Sequence, residues 1–485
     1  MNLDTIKSIH FVGIGGIGMS GIAEILSSQG ATVSGCDLRG SSATDLLTGR
    51  GISVRLGHDP AHLEGVDLVV VTSAVRRGNP EIDAARARGI RIIKRAELLG
   101  ELVNAKRGIG VSGTHGKTTT SAMVATVLAH AGLDPTVVVG GILRNLATNA
   151  KSGLGEFLVV EADEYDRSFH HLHPEIAVVT NIEADHLEYY GTLDAIRESF
   201  ASYIAGVKPG GTVIGCYDDE NVATLLDGLS SSSGLHVVRY GLGKSANGIP
   251  SSADPLIRPS ATFSRGEKDF ARYDIRAVGL NFHDRGCSFE VPGVGFFKLF
   301  VPGEHNVRNA LAAIAVARSL GIPADVIAAG LSSYLGVDRR FQILGDYRGA
   351  IIVDDYAHHP TEIRATLEAA RSGYPDRRLV ALFQPHLYSR TRDFAREFGE
   401  ALRTADMAIV MPIYAAREEP IAGVSARLIS DGVDGIEFLD RGNSEVFNEM
   451  RRRLGPNDLF ITMGAGDVHQ IAEELVRGAM PEGGA

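Results

Sequence analysis

Short apolar runs recur along the chain, each closing on a glycine-rich or polar stretch that opens a helical segment. Residues 9–12, 31–36 and 67–71 read as strands, with helices over 19–28, 81–88 and 97–104. That alternation predicts a parallel α/β unit, because parallel strands need a crossover long enough to hold a helix. The pattern resumes with a strand carrying Ile109 and Val111, a helix over 121–130 that stops near Gly132, and buried strands over 157–160 and 176–180. Residues 229–254 are rich in Ser and Gly and read as an irregular excursion. From 270 to 301, alternating aromatic and β-branched residues around a Pro292-Gly293 turn predict antiparallel strands appended to the parallel core, giving a mixed central sheet. Helices follow over 303–318 and 325–334, and the last third repeats the alternation with strands over 351–355, 379–383, 408–411 and 459–462. A chain of 485 residues exceeds what one hydrophobic core supports, and the breaks in pattern divide it into 1–104, 105–336 and 337–485.

Composition narrows the class without naming a chemistry. The net charge is -11, from 48 Lys+Arg against 59 Asp+Glu, which argues against a surface that coats nucleic acid and leaves any anion to a local basic pocket. Cys36, Cys216 and Cys287 are too few for a disulfide framework or a Cys-rich zinc site, in keeping with a reducing cytoplasm. There is no apolar signal core and no run long enough to span a bilayer, so the expectation is a soluble cytoplasmic protein without a membrane partner.

The densest chemistry lies in Gly108-Ile-Gly-Val-Ser-Gly113-Thr114-His115-Gly116-Lys117-Thr118-Thr119-Thr120. Successive backbone N–H groups in a glycine turn that opens a helix make a concave anion site; Lys117 reaches the outer phosphates and Thr118 places a hydroxyl on Mg²⁺. Val111 stands where the full phosphate-loop pattern wants glycine, so this is a shortened loop. Downstream, the strand over 157–160 delivers Glu161 at its C-terminal end, where a carboxylate completes a Mg²⁺ shell. The next strand leads to Asp185 and His186, a second set of metal-capable groups at the same sheet edge. Near the N-terminus, Gly13-Ile-Gly15-Gly16-Ile17-Gly18 between strand and helix is a dinucleotide-type turn, with Asp37 as its acidic partner. His305 and Asn309 share one helical face, open to either buried capping or contact with adenine or ribose. In the last third, Tyr356, His358, His386 and Arg390 lie on loops that a doubly wound sheet gathers on one side. His358 and His359 are adjacent, so their side chains diverge, and a hydrogen-bonding role is expected rather than a metal site.

Taken together, these segments with Glu161-Ala-Asp-Glu164, Asn181 to His186, Gly303-Glu-His-Asn306, Arg339-Arg-Phe341, Asp354-Asp-Tyr-Ala-His-His-Pro360 and Phe383-Gln-Pro-His386 resemble the Mur ligase family over essentially the whole chain. The resemblance implies an α/β protein of three domains: a Rossmann-like UDP-binding domain, a central phosphate-loop ATPase domain and a C-terminal Rossmann-like domain that brings an amino acid. It implies that Gly15, Gly16, Ile17, Gly18 and Met19 hold a UDP diphosphate, not NAD, with Asp37, His58 and Ser73 near the UDP moiety. It implies that residues 113–119 bind ATP, that Glu161 ligates Mg²⁺ and His186 a second ion, and that His305 and Asn309 lie toward the base. Arg340 and Asp355 would reach ATP from the third domain, and Tyr356, His358, His386 and Arg390 would serve the amino-acid side.

The implied activity is ATP-dependent addition of L-alanine to UDP-N-acetylmuramate through an acyl phosphate, by a monomer or weak homodimer. Two departures qualify it. No lysine occurs between His186 and Lys208, so no carbamylated lysine is expected, and Leu387 stands where many relatives carry arginine, leaving Arg390 to hold a substrate carboxylate. Three other readings remain open: a recycling ligase that joins the same UDP-sugar to a preformed tripeptide, suggested by Glu164-Tyr165-Asp166; an NAD-dependent oxidoreductase using Gly13 to Gly18; and a non-catalytic phosphate-loop switch.

Overall fold

The computed structural model describes residues 6–72, 75, 78–229, 233–242, 272–283, 285–416 and 418–479. The chain forms two compact units, one of Met1–Val278, Val291–Gly295 and Arg308–Tyr334, the other of Gly279–Glu290, Phe296–Val307 and Leu335–Ala485.

The first unit contains two sheets. Five parallel strands run in the order Ser53–Leu56, Thr32–Asp37, Ser8–Val12, Leu68–Val71, Arg91–Lys94. The chain reverses its direction of travel across the sheet at Ser8–Val12, the position where an open α/β sheet leaves a crevice beyond its strand ends. The glycine turn begins there: Gly13 and Ile14 donate to the Cys36 carbonyl at 2.8 and 3.0 Å before the helix Ile17–Ser28 starts. The second sheet has the order Ile275–Arg276, His236–Gly241, Thr212–Cys216, Ile176–Val179, Arg107–Ser112, Phe157–Glu161, Thr136–Leu143, Thr148–Lys151. Its last strand pairs antiparallel and the others parallel, so the sheet is mixed. The phosphate-loop strand Arg107–Ser112 lies between the strands ending in Glu161 and Val179, a second switch point.

Close helix packing joins these two sheets. A Cβ on Gly21 would come within 2.7 Å of the Ala150 methyl, and the Asn149 amide donates to the Ile17 carbonyl at 2.7 Å. Gly100 passes as tightly over the His171 carbonyl.

Two expectations for the middle of the chain are corrected. The Ser- and Gly-rich excursion contains a regular strand, His236–Gly241, parallel to Thr212–Cys216 with Val213 opposite Val237. Its Val-Val-Arg-Tyr run has the β-branched and aromatic content of a strand, which the surrounding Ser and Gly conceal. Residues 230–232 and 243–254 of that excursion lie outside the described residues. Among the described residues between 270 and 301, Ile275–Arg276 joins the eight-stranded sheet, whereas Val278–His283, Gly286–Val291 and Gly295–Leu299 make a separate three-stranded sheet.

In the second unit six strands run in the order Gln342–Tyr347, Ala350–Asp355, Asp458–Met463, Arg378–Phe383, Met407–Val410, Ile436–Phe438, with only the first antiparallel to its neighbour. Side chains of Arg378–Phe383 alternate between two cores: Leu379, Ala381 and Phe383 pack with Leu367 and Phe398, whereas Val380 and Leu382 pack with Met450 and Ile471. Helices cover both faces, which is why its strands read as continuous apolar runs.

Candidate active site

The phosphate loop is held from the neighbouring strand as well as by its own glycines. Asn181 accepts from Thr114 N–H at 3.0 Å through its carbonyl and from His115 N–H at 2.8 Å through its side chain, and its amide donates to the His115 carbonyl at 3.0 Å. The Thr180 hydroxyl donates to the same carbonyl at 2.6 Å, and Glu183 N–H to the Thr114 hydroxyl at 2.9 Å. Gly116 takes a left-handed φ of 82° as the N-cap of the helix Lys117–His130. A Cβ there would meet the Asn309 amide oxygen at 2.7 Å, and that oxygen accepts from the Thr120 hydroxyl at 3.1 Å. Asn309 is buried, so its contact in this structure is with the loop and helix start.

Lys117 folds back over the loop. Its ammonium donates to the carbonyls of Gly113 at 2.6 Å and Thr114 at 3.1 Å, and to Glu164 Oε1 at 2.9 Å. Burial works to lower the lysine pKa, but the carboxylates of Glu164, Asp163 and Glu161 outweigh it and hold the ammonium charged above its usual range. Glu164 is itself buried, and its second oxygen has no hydrogen-bond partner among the described residues. Sequence reasoning chose Glu161 from this segment and passed over Glu164, although both follow the same strand. Glu161 lies opposite Val111 across the strand pair and accepts from Gly140 N–H at 2.8 Å. Thr118 and Thr119 are buried in the first helical turn.

His186 adopts a left-handed φ of 55°, its ring 3.8 Å from Asp185, 3.6 Å from Glu188 and tilted at 60° against Tyr165 with the ring centroids 5.0 Å apart. The sequence paired it with Asp185; Glu188 completes the acidic surroundings.

At the N-terminal turn, Asp37 accepts from Gly15 N–H at 2.9 Å and Leu38 N–H at 2.7 Å, tying the turn to the end of the second strand. A Cβ on Gly18 would lie 3.0 Å from Arg95 Nη1, so a guanidinium that sequence reasoning missed stands beside the turn. Gly16 is exposed at the helix start, Ile17 is 51% exposed, and Met19 is 2% exposed with its side chain in the core. His58 contacts Glu81 at 3.1 Å and Cys36 at 3.2 Å. Ser73 lies outside the described residues.

In the second unit, Asp355 ends its strand buried, accepting from Phe341 N–H and Ala357 N–H at 2.7 Å each. Burial pushes its carboxyl up to about 6, against the opposing pull of Arg340 and the two N–H groups. Arg340 stacks over the Tyr356 ring at 5.4 Å and approaches Glu362 at 3.4 Å. Both histidines of the pair hydrogen-bond: His358 Nδ1 lies 3.0 Å from the Tyr356 carbonyl, and His359 caps the helix Pro360–Gly373. His386 stacks on Tyr414 at 5.9 Å beside a cleft of about 630 Å³ that Gln384, Tyr414, Arg441 and Asp467 help to line. Arg390 and Leu387 are both buried, Leu387 with a left-handed φ of 73° ahead of the helix Tyr388–Leu402. His305 belongs to this unit, at the start of the helix Glu304–Ser319.

A pH dependence follows from Asp355. Its folded pKa of about 6 exceeds the 3.8 of an unperturbed aspartate, so between these values the folded chain binds more protons than the unfolded one. Stability from this group is therefore present at low pH and lost as pH rises through that window. Comparing urea midpoints of wild type and Asp355→Asn from about pH 4 to about pH 7 should show the difference moving in favour of the variant. A constant difference would contradict the assignment.

Comparison with known proteins matches three successive family models: Mur ligase family, catalytic domain, over residues 8–107; Mur ligase middle domain over 111–317; and Mur ligase, glutamate ligase domain, over 339–466. A UDP-N-acetylmuramate–L-alanine ligase from Geobacter sp. (strain M21) is 44% identical over 481 residues, 97% of each chain. The crystal structure of a UDP-N-acetylmuramate-alanine ligase from Thermotoga maritima superposes with a TM-score of 0.76 at 30% identity, covering 97% of this chain and 98% of that one. The UDP-N-acetylmuramate:L-alanyl-gamma-D-glutamyl-meso-diaminopimelate ligase from Neisseria meningitides matches at 29% identity and a TM-score of 0.57, covering 69% of this chain and 100% of that one.

Proposed function

Because this chain belongs to the Mur ligase family, we propose that it joins L-alanine to the carboxylate of UDP-N-acetylmuramate, converting ATP to ADP and phosphate, in cytoplasmic peptidoglycan precursor synthesis. The observation that carries the reading is the lysine-bearing phosphate loop, packed in one unit with a second glycine turn at the switch point of its own parallel sheet. Identity of 44% over 97% of the chain to an alanine-adding ligase, against 29% to a tripeptide-adding one, disfavours the recycling alternative. An oxidoreductase leaves the phosphate loop without a use. No described helix is long and apolar enough to cross a membrane.

A carboxylate is a poor acylating agent, so the γ-phosphoryl of ATP first passes to the muramate carboxylate. Lys117 and the loop N–H groups stabilise charge on the transferring group. The amine of L-alanine attacks the acyl phosphate, and the tetrahedral intermediate collapses to the amide with loss of phosphate. Thr118 and Glu161 offer the hard oxygen donors that Mg²⁺ takes, and the Glu161 carboxylate, bonded through one oxygen to a backbone N–H, retains acceptor capacity for it. His186 would hold a second ion. Bound Mg²⁺ supplies charge neutralisation at the phosphates. At the N-terminal turn, Gly15, Gly16, Ile17, Gly18 and Met19 present backbone to the diphosphate, with His58 and Ser73 toward the UDP moiety and Asp37 fixing the turn. His305 and Asn309 would lie at the base end of ATP, Arg340 and Asp355 act from the third domain, and Tyr356, His358, His386 and Arg390 receive the amino acid. These assignments take 1–104, 105–336 and 337–485 as the functional domains, acting as a monomer or weak homodimer.

Phosphate release by the purified chain should require ATP, Mg²⁺, UDP-N-acetylmuramate and L-alanine together, with radiolabelled alanine entering the UDP-sugar. Release that ignores the UDP-sugar, or a preference for tripeptide over alanine in direct competition, would overturn it.

A further inference from the structure

We propose that the N-terminal sheet carries a structural zinc site formed by His10, Cys36, His62 and Glu81. The four donors come from four elements: the strands Ser8–Val12 and Thr32–Asp37, the short helix Pro60–Leu63 and the helix Pro80–Ala87. One ligand atom from each lies within 4.8 Å of all the others. The His62 Nδ1 to Glu81 Oε1 distance is 2.5 Å, Cys36 Sγ to Glu81 Oε2 is 2.8 Å, and His10 Nε2 to Glu81 Oε1 is 3.7 Å. Zinc–ligand bonds of about 2.0–2.3 Å in a tetrahedron set donors roughly 3.3–3.7 Å apart, and the four donors here, all within 4.8 Å of one another, form a cluster of the size such an ion needs.

The second observation is an orphan. His10 is 1% exposed, and its Nε2 has no hydrogen-bond partner among the described residues while facing the cluster. Its other nitrogen, Nδ1, is held at 2.9 Å by the Ser34 hydroxyl, the outer contact that orients a ligating imidazole. A network of hydrogen bonds centred on Glu81 accounts for His58 and His62, but the His10 nitrogen stands 3.7 Å from Glu81 Oε1, beyond hydrogen-bond range.

The donor set selects the metal. One thiolate and two imidazoles favour Zn²⁺ over Mg²⁺ or Ca²⁺, which take oxygen. Two anionic donors neutralise the divalent ion, so the completed site buries no net charge. On binding, the Cys36 thiol releases its proton to solvent, and a zinc–sulfur bond replaces its hydrogen bond to Glu81. With four protein ligands the site is closed, hence structural. His58, 3.1 Å from Glu81 Oε2, and Asp59 N–H, 3.3 Å from Oε1, stand as outer contacts. The Cys36 carbonyl anchors Gly13 and Ile14, so zinc here would brace the glycine turn from below.

The test uses the full chain, purified without a histidine tag and dialysed after exposure to excess zinc. Mass spectrometry of metal content should give one zinc per chain, retained in the presence of Mg²⁺ and ATP. Co²⁺ in its place should give a near-ultraviolet thiolate charge-transfer band and strong visible bands of a tetrahedral ion. Cys36→Ser should abolish that band and weaken zinc binding at least about 10-fold against a chromophoric chelator, whereas Cys216→Ser and Cys287→Ser should not. Zinc should raise the unfolding temperature of wild type and leave Cys36→Ser unmoved. Should Cys36→Ser fail to fold, His62→Ala decides, with loss of the bound equivalent expected. Zinc content far below one per chain, or a charge-transfer band that survives Cys36→Ser, overturns the site.

Discussion

Replacing Lys117 with alanine is expected to lower kcat by about a thousandfold while leaving the fold intact. The ammonium lies 2.6–3.1 Å from two loop carbonyls and Glu164, at the helix start where the transferring phosphoryl would sit. Charge grows on that group in the transition state, so the lost interaction falls on kcat more than on the KM for ATP. Lys117→Arg should not restore activity, because a planar guanidinium cannot occupy a position shaped for a compact ammonium between two carbonyls. Steady-state phosphate release, with circular dichroism as the control for folding, decides it. A variant with wild-type kcat would remove Lys117 from the chemistry.

The second large effect is on the loop itself. Gly113→Ala is expected to destabilise the first unit by about 3 kcal/mol or more and to abolish ATP turnover. The backbone there has φ +132°, which side chains rarely adopt, and a Cβ would overlap the Thr180 hydroxyl. That hydroxyl has nowhere to go, since it already donates to the Ser112 and His115 carbonyls at 3.2 and 2.6 Å. Adding Thr180→Ala should recover part of the loss by removing the overlap, leaving the torsional strain. Urea denaturation of the single and double variants measures both parts, and additive effects would refute the clash.

The same residues show how far sequence carries. Gly113, Gly116, Lys117 and Thr118 were legible because a phosphate loop is local: a few consecutive backbone angles and one helix start create it. The strands of both Rossmann-like sheets were legible for a similar reason, since burial on two faces leaves continuous apolar runs such as Leu379–Phe383. Asp37 was found by its spacing from the glycines, yet what its carboxylate does, accepting from Gly15 N–H, needed the strand pairing. Glu164, Asn181 and Arg95 were passed over as site residues because their partners lie 47, 66 and 77 positions away, at Lys117, His115 and Gly18.

By itself, then, the amino-acid order determined the alternating α/β architecture, the two glycine turns, the Lys117-Thr118 start of the helix after the second and, through the resemblance of its motifs, the family. All but the family follow from torsion angles, periodicity and spacing within a few turns of chain. Only the tertiary structure decided which carboxylate meets Lys117, what clamps the loop, where His236–Gly241 pairs, and that His10, Cys36, His62 and Glu81 converge. Those depend on strand order and crossover packing, which bring distant residues within hydrogen-bonding range without leaving any local pattern in the chain.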